Sequence, residues 1–274
     1  MRILGAVLVT IAMLIAALFG TQAISRALPE GLAGWVSPPL TALVVLGLLH
    51  AYRRLTGRPW SGLALTRTWW ALPQALAGLA AGLAALVAGS ALSVWLGAAE
   101  WGPPDLPTPP AMVLLAIVLI VLRASLPEEL LFRGHLHDVL SARLGRRGVL
   151  AVTTLSFGAL HVISSSEASG LGEKLLFVAQ ATALGLLCGI ARERTGAVWM
   201  PIGAHTAMYV NALVPAPATH YGAQLALQAA TLALAALAVH LMPVPGAPRP
   251  AGPEKRRRAE GSPPPAAGDA IVRP

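Results

Sequence analysis

Charged residues are scarce in this sequence: they make up 12% of its 274 positions, against 55% hydrophobic residues. Soluble domains carry about 25% charge. Together with a mean hydropathy of +0.66, this excludes an ordinary water-soluble fold and points to a polytopic membrane protein. Cysteine is nearly absent. Cys188 stands alone inside an apolar run, which rules out an intramolecular disulfide and a Cys-rich structural zinc site and leaves a small packing residue. The sequence has no His-Glu-x-x-His and no Gly-x-x-x-x-Gly-Lys, so neither a zincin helix nor a Walker phosphate loop is encoded. A rhomboid-type serine protease needs its nucleophile in a Gly-rich context, and neither Ser90 nor Ser156 has one. There is no repeat at a fixed period, which removes the signature expected of a transporter built from inverted halves. The net charge of +8 does not indicate nucleic acid, because the basic residues fall in short clusters between apolar runs.

What is present is a series of apolar runs. They begin at Ile3, Pro38, Leu72, Ala111, Gly148, Leu175, Ala197 and Tyr221, and predict an all-α polytopic bundle of about eight transmembrane helices over residues 1–242. The first run, after Met1-Arg2, is read as a retained span rather than a cleaved signal. With the N terminus in the cytoplasm, seventeen of the twenty Lys and Arg residues fall on the inner side. Only Arg26, Lys174 and Arg123 do not, so the positive-inside rule supports both the count and cytoplasmic termini. The loop Glu100 to Pro110 carries Asp105 and several prolines that stop helix on both sides. From Pro243 to Pro274 the chain is Pro-, Ala- and Arg-rich and includes Lys255-Arg256-Arg257-Arg258, the composition of a disordered cytoplasmic tail.

One stretch breaks the apolar pattern. Pro127-Glu128-Glu129-Leu130-Leu131-Phe132-Arg133-Gly134 sets two adjacent carboxylates and an arginine at the end of a run whose only charge is Arg123. Ionisable groups at membrane depth are costly and mark functional sites by default. On a helix, Glu129 and Arg133 share a face and form an ion pair, while Glu128 points about 100° away and has no local partner. Such a carboxylate suits a group that takes a proton from water and returns it. The plainer reading is a paired cluster at a helix end.

Depth brings two histidines to the same level. At about 1.5 Å per residue, Glu128 and His161 lie roughly 20 Å from the cytoplasmic ends of their helices and His205 roughly 14 Å. A carboxylate and a histidine can activate water for attack on a peptide carbonyl, with donors on a neighbouring helix holding the oxyanion. Glu128, His161 and His205 could equally ligate zinc, and the residue types do not separate the two routes. His135 and His137 follow the acidic stretch near the expected interface, where a solvated or snorkelling role is expected.

Glu128-Glu129-x-x-x-Arg133, Phe157-x-x-x-His161 and His205 downstream of Gly196-Ala197-Val198-Trp199 resemble the three motifs of the CPBP family, the type II CAAX prenyl proteases and the bacteriocin-processing or immunity proteins. Phe132-Arg133-Gly134 and Arg192-Glu193-Arg194-Thr195-Gly196 extend the likeness, which runs from Pro127 to Val210. The resemblance implies an eight-helix intramembrane endopeptidase. In it Glu128 is the general base, His161 its partner and His205 an oxyanion stabiliser, with Glu129 and Arg133 supporting the geometry. One position departs from the pattern: four residues after its histidine the family usually has Asn, and this chain has Tyr209, with Asn211 turned well aside. A tyrosine hydroxyl can donate to an oxyanion, and a larger ring can also obstruct a cavity. Two outcomes stay open, an active protease and a catalytically lapsed relative acting as an immunity or partner-binding protein. The expected partners are a peptide or membrane-protein substrate and the lipid bilayer, with no nucleic acid. Abundant Ala, Gly, Arg and Pro fit a GC-rich bacterium and hence its inner membrane.

Overall fold

The computed structural model describes residues 3–29, 31–103 and 110–243. Asp105 and the tail expected beyond Pro243 lie outside the described residues. Within them the chain forms eight helices: α1 Ile3–Arg26, α2 Ala33–Thr56, α3 Ala71–Trp95, α4 Ala111–Ser141, α5 Arg146–Leu160, α6 Leu171–Thr195, α7 Trp199–Val210 and α8 Tyr221–Leu241. Their order follows the apolar runs, and this is an all-α polytopic bundle.

Six helices are long and apolar enough to cross a bilayer, namely α1, α2, α3, α4, α6 and α8. The remaining two are shorter, with 15 residues in α5 and 12 in α7. At about 1.5 Å per residue they reach roughly 22 and 18 Å, less than a hydrocarbon core of about 30 Å. Each ends in a 3-10 turn, His161–Ile163 after α5 and Asn211–Leu213 after α7. Backbone can leave the helix at membrane depth only where protein covers it or water reaches it, so the two short helices are where polar chemistry can be housed.

Small residues decide how α7 is held. It packs on α3, and α3 also packs on α8. A Cβ at Gly78 would fall on the Met200 carbonyl, one at Gly82 on Ala204 and Ala207, and one at Gly203 on the Ala75 carbonyl. Backbones this close need glycine at the crossing, as membrane helices without a hydrophobic drive between them often do. A leucine at Gly203 is therefore expected to push α7 off α3, lowering the melting temperature in detergent and displacing His205 two residues on. At the start of α7, Gly196 adopts φ +70° and closes α6 with an N–H to the Arg192 carbonyl, so the chain reverses within three residues.

On the other side, α1 and α2 pair and lean on α4. A buried ion cluster fixes that contact: both guanidinium Nη atoms of Arg53 donate to Asp138 Oδ2 at 3.0 Å, and Arg58 donates at 3.1 Å. Arg53 is almost fully buried. A residue that topology alone would leave at an interfacial loop is thus a strut between α2 and α4.

Candidate functional site

The carboxylate stretch sits in α4 between two segments wound as π-helix, Val121–Ser125 and Leu130–Leu136. Each π turn holds about one more residue than an α turn, which shifts the facing of everything beyond it, and such bulges are frequent at functional sites. The solvated role expected for His135 is incorrect, because it is 0% exposed and packs edge-on against Tyr52 at 4.6 Å. His137, two residues on, stays partly exposed beside Ser141.

Glu129 and Arg133 form the pair that their spacing predicts. Arg133 Nη1 donates to Glu129 Oε1 at 3.1 Å, with both side chains at 1% exposure or less. Arg133 Nη2 donates to the Gly185 carbonyl at 2.7 Å, and its guanidinium lies 4.6 Å from the centre of the Phe157 ring. Glycine suits that place, since a Cβ at Gly185 would come within 3.2 Å of both Arg133 Nη2 and Phe157 and make them give by a few tenths of an ångström. Arg192 Nε donates to the Arg133 carbonyl at 3.0 Å, tying α6 to the same turn of α4.

His205 lies between the two carboxylates. Its Nδ1 is 2.9 Å from Glu129 Oε1 and its Nε2 is 4.0 Å from Glu128 Oε2. A carboxylate oxygen accepts, so Nδ1 carries the hydrogen and the ring presents Nε2 toward Glu128. Thr206, the next residue on α7, gives its hydroxyl hydrogen to the Ile202 carbonyl at 2.7 Å and accepts from Ser125 Oγ at 3.0 Å, which locks the register of α7 on α4. Glu128 is 18% exposed and makes no hydrogen bond among the described residues.

His161 reaches this group through a ring. Its Nδ1 is 2.9 Å from the Phe157 carbonyl, which can only accept, so Nε2 is left with a free lone pair. The Phe157 side chain is fully buried and touches three members at once: His161 at 4.9 Å, His205 at 5.6 Å and Arg133 as above. Phe157 stands out in the sequence only as the first letter of its motif, and nothing there says that it is the wall joining α4, α5 and α7. Its spacing of four from His161 is the one signal that the two share a face. Phe157→Leu is expected to lower the melting temperature in detergent by several degrees, because the ring is fully buried and the rings of His161 and His205 lose their common support.

Tyr209 stacks on His205, with ring centres 6.1 Å apart and planes at 15°, and is 39% exposed. Asn211 lies in the turn that follows α7, with Oδ1 buried and unpartnered. Among the described residues no three His, Cys, Asp or Glu side chains are grouped to hold a metal ion. Glu129 and the Nδ1 of His205 are already engaged with each other. The structure therefore gathers Glu128, Glu129, Arg133, His205 and Tyr209 directly and brings in His161 through Phe157. Glu128, His161 and Tyr209 are its partly exposed members, and anything that reaches the site passes over them.

Residues 110–210 match the family model described as type II CAAX prenyl endopeptidase, Rce1-like. That stretch contains every site residue named above and agrees with the resemblance to CPBP intramembrane proteases. No curated protein and no solved structure matches the chain.

Proposed function

We propose, from this Rce1-like segment in an eight-helix bundle, that the protein is an intramembrane endopeptidase that hydrolyses a peptide bond with water activated by Glu128. The observation that carries the reading is the seat of His205 between two carboxylates, one of them fixed by a buried arginine. A chance polar cluster would pair its charges. This one leaves Glu128 without a hydrogen bond among the described residues, partly exposed and 4.0 Å from His205 Nε2.

In the proposed step, water sits between Glu128 and the lone pair of His161 Nε2. Glu128 takes a proton as the water oxygen bonds to the peptide carbonyl carbon. The carbonyl oxygen becomes an oxyanion and meets donors from α7, the Tyr209 hydroxyl or His205 Nε2. With Nδ1–H held by Glu129, His205 donates from Nε2 only when its ring carries both protons, and the flanking carboxylates supply the compensating charge. The C–N bond then breaks, and Glu128 returns its proton to the leaving amine. Glu129 and Arg133 are positioning residues: they act through His205.

A second reading rests on Tyr209. Its ring runs near-parallel to His205, 6.1 Å between centres, where the family usually has Asn, which suits a lapsed relative that binds a partner through the same site. The substrate in the first reading is a peptide or membrane protein presented at the bilayer. The positive charge between the apolar runs supports cytoplasmic termini, and the residue composition supports a bacterial inner membrane.

The test is cleavage of a fluorogenic peptide library by the purified full chain in liposomes, with and without a chelator. Cleavage by wild type that survives chelation and vanishes in Glu128→Gln supports the glutamate mechanism. Loss on chelation and recovery with zinc replaces it with a metal mechanism. If wild type cuts nothing, Tyr209→Asn decides: activity gained identifies a lapsed protease, and continued silence favours partner binding.

A further inference from the structure

Arg123 has no part in the chemistry above. It is the only charge in its apolar run, it is exposed, and among the described residues no carboxylate pairs with it. An unpaired guanidinium on a membrane-spanning helix is costly unless water or an anion meets it. The space in front of it is a cavity of about 360 Å³ between α1, α2 and α4, lined by Thr21, Gln22, Ser25, Ser37, Thr41 and Arg123 among others. Thr21 is 3% exposed, yet among the described residues its Oγ1 has no partner, and neither has Ser25 Oγ. Helical Ser and Thr usually return their hydroxyl to the carbonyl four residues back. Thr10 and Thr41 do so here, whereas Thr21 and Ser25 line this cavity with that capacity unused.

Depth and surroundings favour one ligand. Thr21 and Ser25 lie in the last turns of α1 and Ser37 in the first turns of α2, within about 8 Å of the helix ends. That is the level of the headgroups in the leaflet beside the α1–α2 loop. Leu18, which lines the notch, is exposed, and so are the chain neighbours of its other lining residues, Phe19 and Ile24 on α1 and Trp35 and Val36 on α2, so apolar surface borders it. A free anion would gain nothing from that rim, and a peptide carboxylate would need its own entry path. A lipid brings both a phosphate for Arg123 and the hydroxyls, and acyl chains for the rim.

We propose that the notch between α1, α2 and α4 is a phospholipid site, in which Arg123, Thr21 and Ser25 hold the headgroup phosphate and the apolar rim holds the acyl chains. Guanidinium binds phosphate through paired N–H groups, and the two hydroxyls donate to its remaining oxygens.

The experiment is native mass spectrometry of the detergent-purified full chain titrated with short-chain phosphatidylglycerol, with diacylglycerol of the same chain length and inorganic phosphate as parallel arms. Wild type is expected to retain one phosphatidylglycerol and no diacylglycerol, and to hold inorganic phosphate far more weakly. Arg123→Gln is expected to weaken phosphatidylglycerol about ten-fold or more, the loss of one charge-assisted contact. Thr21→Val weakens it less, Arg123→Lys recovers part of the binding, and Arg54→Gln at the opposite end of α2 leaves it unchanged. Equal retention by Arg123→Gln and Thr21→Val, or equal binding of diacylglycerol, overturns the proposal. Inorganic phosphate binding as tightly as the lipid overturns the lipid as the source of the oxyanion. The readout is binding, so its outcome is independent of whether peptides are cleaved.

Discussion

Glu128→Gln is expected to lower kcat for peptide hydrolysis by about two to four orders of magnitude, the range that a general acid–base group contributes. The amide keeps the shape of the carboxylate but can neither take the proton from water nor return it to the amine. KM should change little, since in the proposed step Glu128 meets the reacting water rather than the bulk of a substrate. Stability should hold as well. The side chain is partly exposed and lies 4.0 Å from His205 Nε2, beyond hydrogen-bonding distance. Single-turnover cleavage together with a melting curve separates the two effects. A variant that melts like wild type and cleaves at the wild-type rate removes Glu128 from the mechanism.

Arg133→Met acts the other way and strikes stability first. Glu129 would lose its cation in a site with no exposure, and its Oε2 already lacks a hydrogen-bond partner among the described residues. The Gly185 carbonyl would lose its donor too. Breaking a buried pair from one side costs about 3–5 kcal/mol because the remaining charge is uncompensated. Removing both partners is a different case, since well-packed apolar replacements of a buried pair are often neutral or stabilising. The double variant Glu129→Leu/Arg133→Met is therefore expected to recover much of the stability that the single variant loses, read by denaturation in detergent. It should not recover activity, because His205 Nδ1 would have no acceptor to fix its ring. A double variant as unstable as Arg133→Met would show that Arg133 matters mainly through Gly185 and Phe157.

These two residues illustrate how much of the site the sequence carries. A spacing of four is enough to pair Glu129 with Arg133 and to leave Glu128 over, because helix periodicity acts within one segment. It is not enough for His135. Every residue from Leu130 to Leu136 is buried, because α1, α5 and α6 close round this part of α4, so the position expected in solvent is covered whichever way it faces. Periodicity also marks Tyr209 as sharing a face with His205, and their rings are stacked. By contrast, Asp138 gathering Arg53 and Arg58, and Phe157 lining His161, His205 and Arg133, join helices far apart in the chain. No local pattern records such contacts.

By itself, the sequence determined the solvent and the class of fold. Scarce charge and eight apolar runs leave a membrane helix bundle as the only way to satisfy the backbone, and the three motifs mark which helices carry polar chemistry. Tertiary structure alone decided which groups meet. The glycine-lined crossing of α3 and α7 sets where His205 stands, and the Gly185 carbonyl of α6, which takes the Arg133 guanidinium, sets where the carboxylate it meets is held. Both are matters of packing between separate helices, where a shift of one ångström changes a partner while leaving every residue and every helix in place.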